Sequence, residues 1–256
     1  MILIYETTVR EMRKSHRNAL IGIFNSILTT VAFIVAFQLM FSVLGLRSAP
    51  LRGEFILFMM SGIFLFLTHT KSVGAVAGAD GPTSPMMQHA PMNTIIAICG
   101  AALASLYTQI VTVVVVLFVY HAAIKPIHIE DPVSAFGMFL LAWFSGCAIG
   151  MLLLALTPWA PGLVGIVKIV YQRANMIASG KMFVANTLPA TAYAMFAWNP
   201  LFHIIDQSRG FVFINYVPQK TSISYPIYLC IVFIVVGLMA EFFTRRRASI
   251  SWSAGR

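Results

Sequence analysis

Three polar side chains in the last quarter of the chain are spaced so that they could do chemistry together. His203, Asp206 and Arg209 stand at i, i+3 and i+6, so a helix would place them on one face. An imidazole, a carboxylate and a guanidinium on one face could contact a polar substrate. The alternative is a local ion-pair ladder that caps the structure, and the sequence favours this simpler interpretation.

A second candidate is the turn-rich stretch 79–93, where three prolines and a glycine interrupt two apolar runs. Within it, Ser84 suits a helix cap and Pro85 a first helical position. Met86 and Met87 would give such a short helix an adaptable hydrophobic contact. We therefore expect a docking helix for a cytoplasmic partner, and a plain connecting turn is the alternative. The residues of this predicted helix are Ser84, Pro85, Met86, Met87, Gln88 and His89.

A third candidate is the amphipathic start of the chain, residues 1–19. Its cations are Arg10, Arg13, Lys14 and Arg17. Its apolar residues are Ile2, Tyr5, Val9 and Met12. This pattern predicts a helix along the membrane interface, with cations among the lipid head groups. An ordinary positively charged flank of a membrane span is the alternative.

The sequence has no motif for a catalytic, metal or cofactor site. The pair Gly180-Lys181 lacks the spacing of a phosphate-binding loop, and no His-Glu-x-x-His or Gly-x-Ser-x-Gly motif occurs. Acids stand near span ends or in loops, and only Asp206 has an ambiguous place, so ion-coupled transport has one candidate residue. We therefore expect a non-enzymatic chain with no bound cofactor, which obtains energy from a partner.

The elements that position these candidates are membrane helices. Of the 256 residues, 59% are hydrophobic and 10% are charged, and the mean hydropathy is +0.85. A soluble chain this apolar could not cover its surface with polar groups. The apolar runs are continuous rather than alternating, which favours helices over a barrel.

The apolar runs predict one all-α transmembrane domain, 1–256, with six spans. The spans are 20–46, 55–78, 94–121, 133–156, 162–184 and 225–243. Residues 79–93 form the cytoplasmic connector, and 185–220 is too mixed for a span. Because prolines divide 185–220 into short pieces, we expect a re-entrant pair of helices there. The pairs Gly74/Gly78 and Gly146/Gly150 permit close helix approach.

The distribution of cations predicts that both termini are cytoplasmic. Residues 10–17 contain four cations, and 245–247 are all arginine. The net charge of +9 then reflects orientation and anionic lipid, not nucleic-acid binding. The three cysteines have no metal or redox spacing and indicate small buried hydrophobes.

These features resemble the membrane subunit of an ABC-2 type exporter. The likeness rests on the amphipathic residues 5–17, the Pro-bearing turn 81–91 and residues 198–209, which read Trp-Asn-Pro-Leu-Phe-His-Ile-Ile-Asp-Gln-Ser-Arg. The last segment looks like the Asn-Pro-Leu-x-His-x-x-Glu-x-x-Arg stretch of polysaccharide-export permeases, with Asp206 where Glu is usual. Length and sequence look closest to capsular polysaccharide export permeases of Gram-negative bacteria.

The resemblance implies a homodimer in the bacterial inner membrane, with two copies of a cytoplasmic ABC ATPase that binds ATP and Mg. It implies that ATP binding pushes on the 81–91 helix and that a lipid-linked polysaccharide moves through a channel between the permease copies. A periplasmic co-polymerase and an outer-membrane export protein would complete the route. Alternatives are export of O-antigen, teichoic acid or a small molecule by the same fold, an ATPase-independent secondary transporter, or a structural protein that organises lipid.

Overall fold

The computed structural model describes residues 2–14, 19–43, 45, 55–81, 84 and 93–253, with side chains described to 246. Over these ranges the chain is helical or irregular, with no strand. The helices are α1 (Ile2–Lys14), α2 (Ala19–Val43), α3 (Phe55–Ala77), α4 (Thr94–Ala123), α5 (Pro132–Leu156), α6 (Pro161–Ala178), α7 (Ala190–Phe196), α8 (Pro200–Val212) and α9 (Ser224–Ser253), with a 3-10 turn at Ala185–Thr187.

Five of the described helices, α2, α3, α4, α5 and α9, are long and apolar enough to cross a membrane. Over the described residues they confirm the predicted all-α fold class, with five candidate membrane spans. The predicted span 162–184 corresponds to α6, which ends at Ala178 and is not one of the five. Lys168 and Arg173 lower its apolar character, so the sixth span stays a prediction. Helix α9 continues to Ser253, beyond the predicted stop at Arg245.

Helix α3 is the central and most buried of the five. Its close neighbour is α5, and Gly146 makes that approach possible, since a Cβ there would lie 2.5 Å from the carbonyl oxygen of His69. A Cβ on Gly150 would lie 2.8 Å from Cβ of Val76. Gly74 differs, because the nearest atom to a Cβ placed there would be Nε2 of Gln172, at 3.8 Å. Of the two predicted glycine pairs, the one on α5 therefore forms a tight helix contact.

Helices α2 and α3 run in opposite directions. Lys71 of α3 contacts Ser26 near the start of α2, and Phe55 packs its ring edge-on against Phe41 near the end of α2. Helices α3 and α5 run in the same direction, because successive turns of α3 meet successive turns of α5. The bundle therefore has two defined ends.

We call one of them the α1 end. There, Arg10 of α1 bonds to Asp80 just after α3, and Arg245 of α9 bonds to Asn93, the cap of α4. Both described ends of the chain thus lie at the α1 end of the bundle.

We call the opposite end the α8 end. The amide of Asp131, which caps α5, donates to the carbonyl oxygen of Phe211 on α8 at 2.9 Å. Hydrogen bonds from Ser134, followed by that from Val133, hold the pKa of Asp131 below its usual value. Helix α9 begins near α8, since Tyr225 donates to the carbonyl oxygen of Trp198 at 2.7 Å, and it ends at the α1 end. Residues 157–223 therefore return the chain from the α1 end to the α8 end.

Candidate functional sites at the two ends of the bundle

The Asn-Pro start of α8 is anchored on the last turn of α6. Oδ1 of Asn199 accepts a hydrogen bond from the amide of Leu201 at 3.0 Å, which caps α8, and Pro200 occupies the first turn. Nδ2 of Asn199 donates to Oδ1 of Asn175 at 2.9 Å and to the carbonyl oxygen of Ala178 at 3.0 Å. One amide therefore starts α8 and joins it to α6.

Arg209 holds the turn that follows α6. Its side chain is fully buried, and its two Nη atoms donate to the carbonyl oxygens of Gly180 at 2.9 Å, Phe183 at 2.6 Å and Lys181 at 2.7 Å. The guanidinium also lies over the ring of Phe58, 4.1 Å from its centroid. A planar group with several donors in a fixed fork suits this arrangement better than the single point charge of a lysine, which cannot reproduce both Nη positions.

Gly180 is the conformationally demanding residue of that turn. Its φ is +74°, a left-handed value that favours glycine. A Cβ there would also lie 2.6 Å from Cδ2 of Phe202 on α8. The absence of a side chain at Gly180 therefore allows both the left-handed turn after α6 and the close approach of α8 to that turn.

Asp206 connects α8 to the segments on both sides of it. Oδ1 accepts hydrogen bonds from the amide of Ala185 at 3.0 Å and the hydroxyl of Tyr216 at 2.6 Å. Oδ2 accepts from the hydroxyl of Thr221 at 2.8 Å. Three donors therefore satisfy both oxygens of this buried carboxyl group.

His203 is a neutral bridge in the hydrogen-bond pattern of the structure. Nδ1 accepts from the amide of Ser222 at 3.1 Å, and Nε2 lies 2.7 Å from the carbonyl oxygen of Ala197, to which it must donate. The tautomer with hydrogen on Nε2 satisfies both contacts. Its ring packs on Tyr225, with centroids 4.9 Å apart.

The structure thus corrects the expected ion-pair ladder. His203, Asp206 and Arg209 share α8 and are all buried, as the helical spacing predicts. Within the described part of the chain, however, Asp206 and Arg209 form no ion pair with each other. Arg209 bonds instead to the carbonyl oxygens of residues 180–183, and Asp206 to the amide of Ala185 and the hydroxyls of Tyr216 and Thr221. The arrangement suits a brace that holds α8 in place.

The α1 end contains the flanks of the predicted docking helix. Nη2 of Arg10 donates to Oδ2 of Asp80 at 2.5 Å, and Nζ of Lys14 donates to the carbonyl oxygen of Gly78 at 3.3 Å. On the other flank, Nη1 of Arg245 donates to Oδ1 of Asn93 at 3.0 Å. The connector between α3 and α4 is therefore held by α1 on one side and by α9 on the other.

Most of the predicted docking helix itself lies outside the described residues. Its Ser84 is described, and the amide of Ser84 donates to the carbonyl oxygen of Gly81 at 3.0 Å. Pro85, Met86, Met87, Gln88 and His89 fall in the ranges that the structure does not describe.

Three of the four predicted interfacial cations lie on α1, and Arg17 lies outside the described residues. Arg13 and Lys14 are exposed, whereas Arg10 is half-buried against Asp80. The helix packs against α4 through Thr7. A Cβ on Gly100 of α4 would lie 2.5 Å from the side chain of Thr7, so the absence of a side chain at Gly100 allows this contact. Ile2 and Tyr5 are exposed, with 75% and 71% of their surfaces free, whereas Val9 and Met12 are half-buried. The exposed apolar side chains at the start of α1 suit contact with lipid.

Comparison with known proteins gives two relatives of nearly the same length. Both are named polysialic acid transport protein KpsM, from Escherichia coli. One is 22% identical over 247 residues, which cover 95% of this chain and 93% of the relative. The other is 25% identical over 206 residues, which cover 77% of this chain and 76% of the relative. No family model matches the chain.

The first similarity concerns the whole bundle rather than one motif, because it covers nearly all of both chains. It supports the resemblance to ABC-2 type polysaccharide export permeases that the Asn-Pro-Leu segment suggests.

Two buried ionisable side chains were not assigned any role from the sequence. Lys181 is 2% exposed, and its Nζ has no hydrogen-bond partner among the described residues. Its ammonium lies 3.6 Å from the ring centroid of Phe66 and 5.0 Å from that of Phe37, and we call this arrangement the Lys181 cage. An ionisable residue inside an apolar run was the signal available from the sequence.

His69 is the other such residue. Nδ1 lies 2.8 Å from Oγ of Ser145 on α5, and Nε2 lies 2.8 Å from the hydroxyl of Tyr171 on α6. His69 is fully buried and joins three helices through two hydrogen bonds. Through these contacts His69 joins α6 to α3 and α5. No cluster of potential metal ligands occurs among the described residues.

Proposed function

We propose that this chain is the transmembrane permease subunit of an ATP-driven ABC exporter that moves lipid-linked capsular polysaccharide across the bacterial inner membrane. The observation that supports it most is the chain-long similarity to two polysialic acid transport proteins. The anchored Asn199–Arg209 helix adds to this, since it is the segment on which the family resemblance is most specific.

The energy would come from a cytoplasmic ATPase that docks on the connector between α3 and α4. A docking segment must transmit force to the helices that move. The described flanks suit that role, because Asp80 is bonded to Arg10 of α1 and Asn93 is bonded to Arg245 of α9. A push on residues 84–89 would therefore reach α1, α3, α4 and α9 together.

The working assembly would be a homodimer with two ATPase subunits, which would bind ATP and Mg, and with a channel between the permease copies. Helices α2 and α9 support this arrangement, because both leave most of their spanning length exposed. Leu39 of α2 and Met239 of α9 are 61% and 68% exposed. Faces of this kind fit lipid or a second copy. A periplasmic co-polymerase and an outer-membrane export protein would receive the polymer.

Residues 185–220 would form the re-entrant segment at the periplasmic side of the membrane. The α8 end would then face the periplasm, and the α1 end with both termini would face the cytoplasm. The exposed cations Arg13 and Lys14 at the α1 end support this orientation.

A secondary transporter is the main alternative of another class, and it needs a buried acid free to exchange an ion. Asp206 accepts three hydrogen bonds, which suits a fixed carboxylate and not a carrier of protons. Glu241 is also buried; its Oε1 has no hydrogen-bond partner among the described residues and lies 4.0 Å from Nε of Arg245 near the end of the last span. The environment of Asp206 favours the partner-driven mechanism. Export of O-antigen, teichoic acid or a small molecule would use the same fold and differ in cargo.

Co-purification from the native membrane tests the function directly. We expect a tagged chain to retain an ABC ATPase, and deletion of its gene to abolish a surface polysaccharide that plasmid-borne wild type restores. Export that continues at the normal rate after loss of every co-purifying ATPase would refute the proposal in favour of a secondary transporter.

The docking helix is tested by the pair Met86→Asp and Met87→Asp. We expect the double variant to lose ATPase association, since two carboxylates would have to be desolvated in a hydrophobic contact. The control is Met195→Asp on α7 at the other end of the bundle, where Met195 is already 66% exposed. Equal ATPase retention in both variants would remove the assigned role of residues 84–89.

A further inference from the structure

A polar cavity of about 500 Å³ lies at the α1 end, between α1, α2, α3 and α4. Small residues of three helices create the space, and Gly74 of α3 faces it without a close neighbour. We call it the Lys71 cavity, after the lysine that projects into it. The polar residues that line it are Glu11, Lys14, Asn25, Ser26, Thr29, Lys71, Ser105, Thr108 and Gln109.

Lys71 brings a cation with spare hydrogen-bonding capacity into this cavity. Its Nζ donates to Oγ of Ser26 at 2.6 Å, which is the one acceptor that the described residues give it. An ammonium group has three N–H bonds, so two remain for another acceptor. Oγ of Ser26 is also 3.2 Å from Nε2 of Gln109 and 2.8 Å from Oγ1 of Thr112. The hydrogen-bonding capacity of the Ser26 hydroxyl is thus occupied. Because this hydroxyl is neutral, it does not balance the charge of Lys71.

The acid in the cavity has other partners. Oε1 of Glu11 is 3.3 Å from Nη2 of Arg10 and 3.3 Å from Nζ of Lys14. Two cations from α1 therefore balance Glu11, and Asp80 is bonded to Arg10 as well. Among the described residues that line the cavity, the unbalanced charge is that of Lys71, so the fitting ligand is an anion.

The position of Lys71 indicates which anion. It stands six residues before Ala77, the end of α3, which corresponds to about 9 Å along the helix axis. The cavity extends from Lys71 past the end of α3 to Gly78 and Lys14. This is the depth range in which a lipid head group meets the acyl chains. Thr29 and Thr108 also line this space, but their hydroxyls donate to the carbonyl oxygens of Asn25 at 2.7 Å and Ala104 at 2.9 Å, so the free N–H groups of Lys71 are the principal donors for phosphate oxygens.

We propose that the Lys71 cavity binds the phosphate of an anionic phospholipid head group, with Lys71 as its principal contact. The inference goes beyond the transport function and does not depend on it. A lipid held there would touch α1, α2, α3 and α4 at once. It would fill the space between the interfacial helix and the spans and make the association of α1 with the bundle dependent on anionic lipid.

Binding is tested on the full chain, purified with any partner that it retains, in detergent with added phosphatidylglycerol or phosphatidylcholine. Native mass spectrometry counts the retained lipids. We expect wild type to retain phosphatidylglycerol in preference to phosphatidylcholine. We expect Lys71→Gln to weaken that retention about tenfold, because it removes a charge-assisted hydrogen bond, whereas Lys71→Arg keeps it.

Two further variants separate binding from folding. Lys168→Gln on α6 removes a lysine that does not line the cavity and should retain phosphatidylglycerol like wild type. Ala75→Leu keeps Lys71 but fills the cavity from the next turn of α3, and we expect it to lose the lipid. The thermal unfolding midpoint of each variant shows that it is folded.

Several results would overturn the proposal. One is equal phosphatidylglycerol retention in Lys71→Gln, Ala75→Leu and wild type. Another is a loss of retention in Lys168→Gln that matches the loss in Lys71→Gln, since this would indicate a general charge effect. A third is displacement of the lipid by millimolar inorganic phosphate, which would indicate a site for the free ion.

Discussion

The guanidinium group of Arg209 lies on the ring of Phe58, with 4.1 Å between the guanidinium carbon and the ring centroid. This contact joins α8 to the central helix α3, while the same guanidinium bonds to the three carbonyls of the turn after α6. One buried cation therefore fixes the relative positions of three segments. The brace formed by α8 depends on it more than on any pairing with Asp206.

Replacement of Arg209 by Lys should destabilise the chain although the charge is kept. The single Nζ of lysine could not occupy both Nη positions that contact the three carbonyls, and lysine would lose the flat contact with Phe58. We expect a loss of about 2–4 kcal/mol in the free energy of unfolding, seen as a lower thermal midpoint in detergent and less protein in the membrane. Arg173→Lys on α6 is the control, because Arg173 is exposed. Equal midpoints for the two variants would contradict the role of Arg209.

The contact between α3 and α5 should depend on the absence of a side chain at position 146. In Gly146→Ala the new Cβ would lie 2.5 Å from the carbonyl oxygen of His69, so the helices must separate. We expect a cost of about 1–3 kcal/mol in the free energy of unfolding. Gly137→Ala on the same helix is the matched control, because a Cβ there meets nothing within 4 Å. It should leave stability unchanged or raise it by up to about 1 kcal/mol through helix propensity. The prediction fails if Gly146→Ala unfolds no earlier than Gly137→Ala.

Five of the six predicted spans correspond to helices long and apolar enough to cross a membrane, because bilayer thickness requires long apolar runs, and the ends of α3 and α5 fall within a residue or two of the predicted bounds. The shared helix face of His203, Asp206 and Arg209 was also predictable from spacing alone. Their partners were not, because the acceptors of Arg209 lie in a turn whose path depends on the left-handed φ of Gly180.

The Lys181 cage and the Lys71 cavity could not be predicted from the sequence, for a related reason. The sequence shows two lysines in apolar surroundings, but which rings or hydroxyls surround each one depends on the packing of α2 against α3. Helix α2 has no polar motif that sets its register, so the meeting of Phe37 with Lys181 or of Ser26 with Lys71 is visible only in the folded chain.

The link between α1 and the base of the predicted docking segment should matter for export more than for stability. Arg10 and Asp80 are 34% and 24% exposed at their side chains, so we expect a change of under about 1 kcal/mol in the free energy of unfolding when the pair is lost. Arg10→Asp should nonetheless lower the rate of ATP-dependent export several-fold, because the connector would lose its tie to α1.

The double reversal Arg10→Asp with Asp80→Arg should restore part of that rate, and Arg13→Asp on the exposed side of α1 should not lower it. Export is measured as labelled surface polysaccharide per cell at matched protein level. A rate in Arg10→Asp that equals the rate in Arg13→Asp would show that the Arg10–Asp80 contact is not part of the coupling route.

The Lys181 cage should cost stability, and its removal should therefore raise the unfolding midpoint. The ammonium has no hydrogen-bond partner among the described residues and is compensated by the rings of Phe66 and Phe37 and, at 5.9 Å, by that of Phe33. Cation–π contacts of this kind supply about 0.5–2 kcal/mol, which is less than the cost of desolvating an unpaired cation. Lys181→Met keeps the length and apolar stem of the side chain and removes the charge. We expect it to stabilise the chain by about 1–3 kcal/mol.

The control for the cage is Lys220→Met, because Lys220 is exposed and donates to the carbonyl oxygen of Leu188. Its thermal midpoint should stay close to that of wild type. A lower midpoint in Lys181→Met than in wild type would mean that the ring contacts outweigh desolvation. If Lys181→Met is instead more stable but exports an acidic polymer more slowly, the unpaired cation serves transport at the expense of stability, which is the relationship expected for an ionisable residue kept inside a membrane bundle.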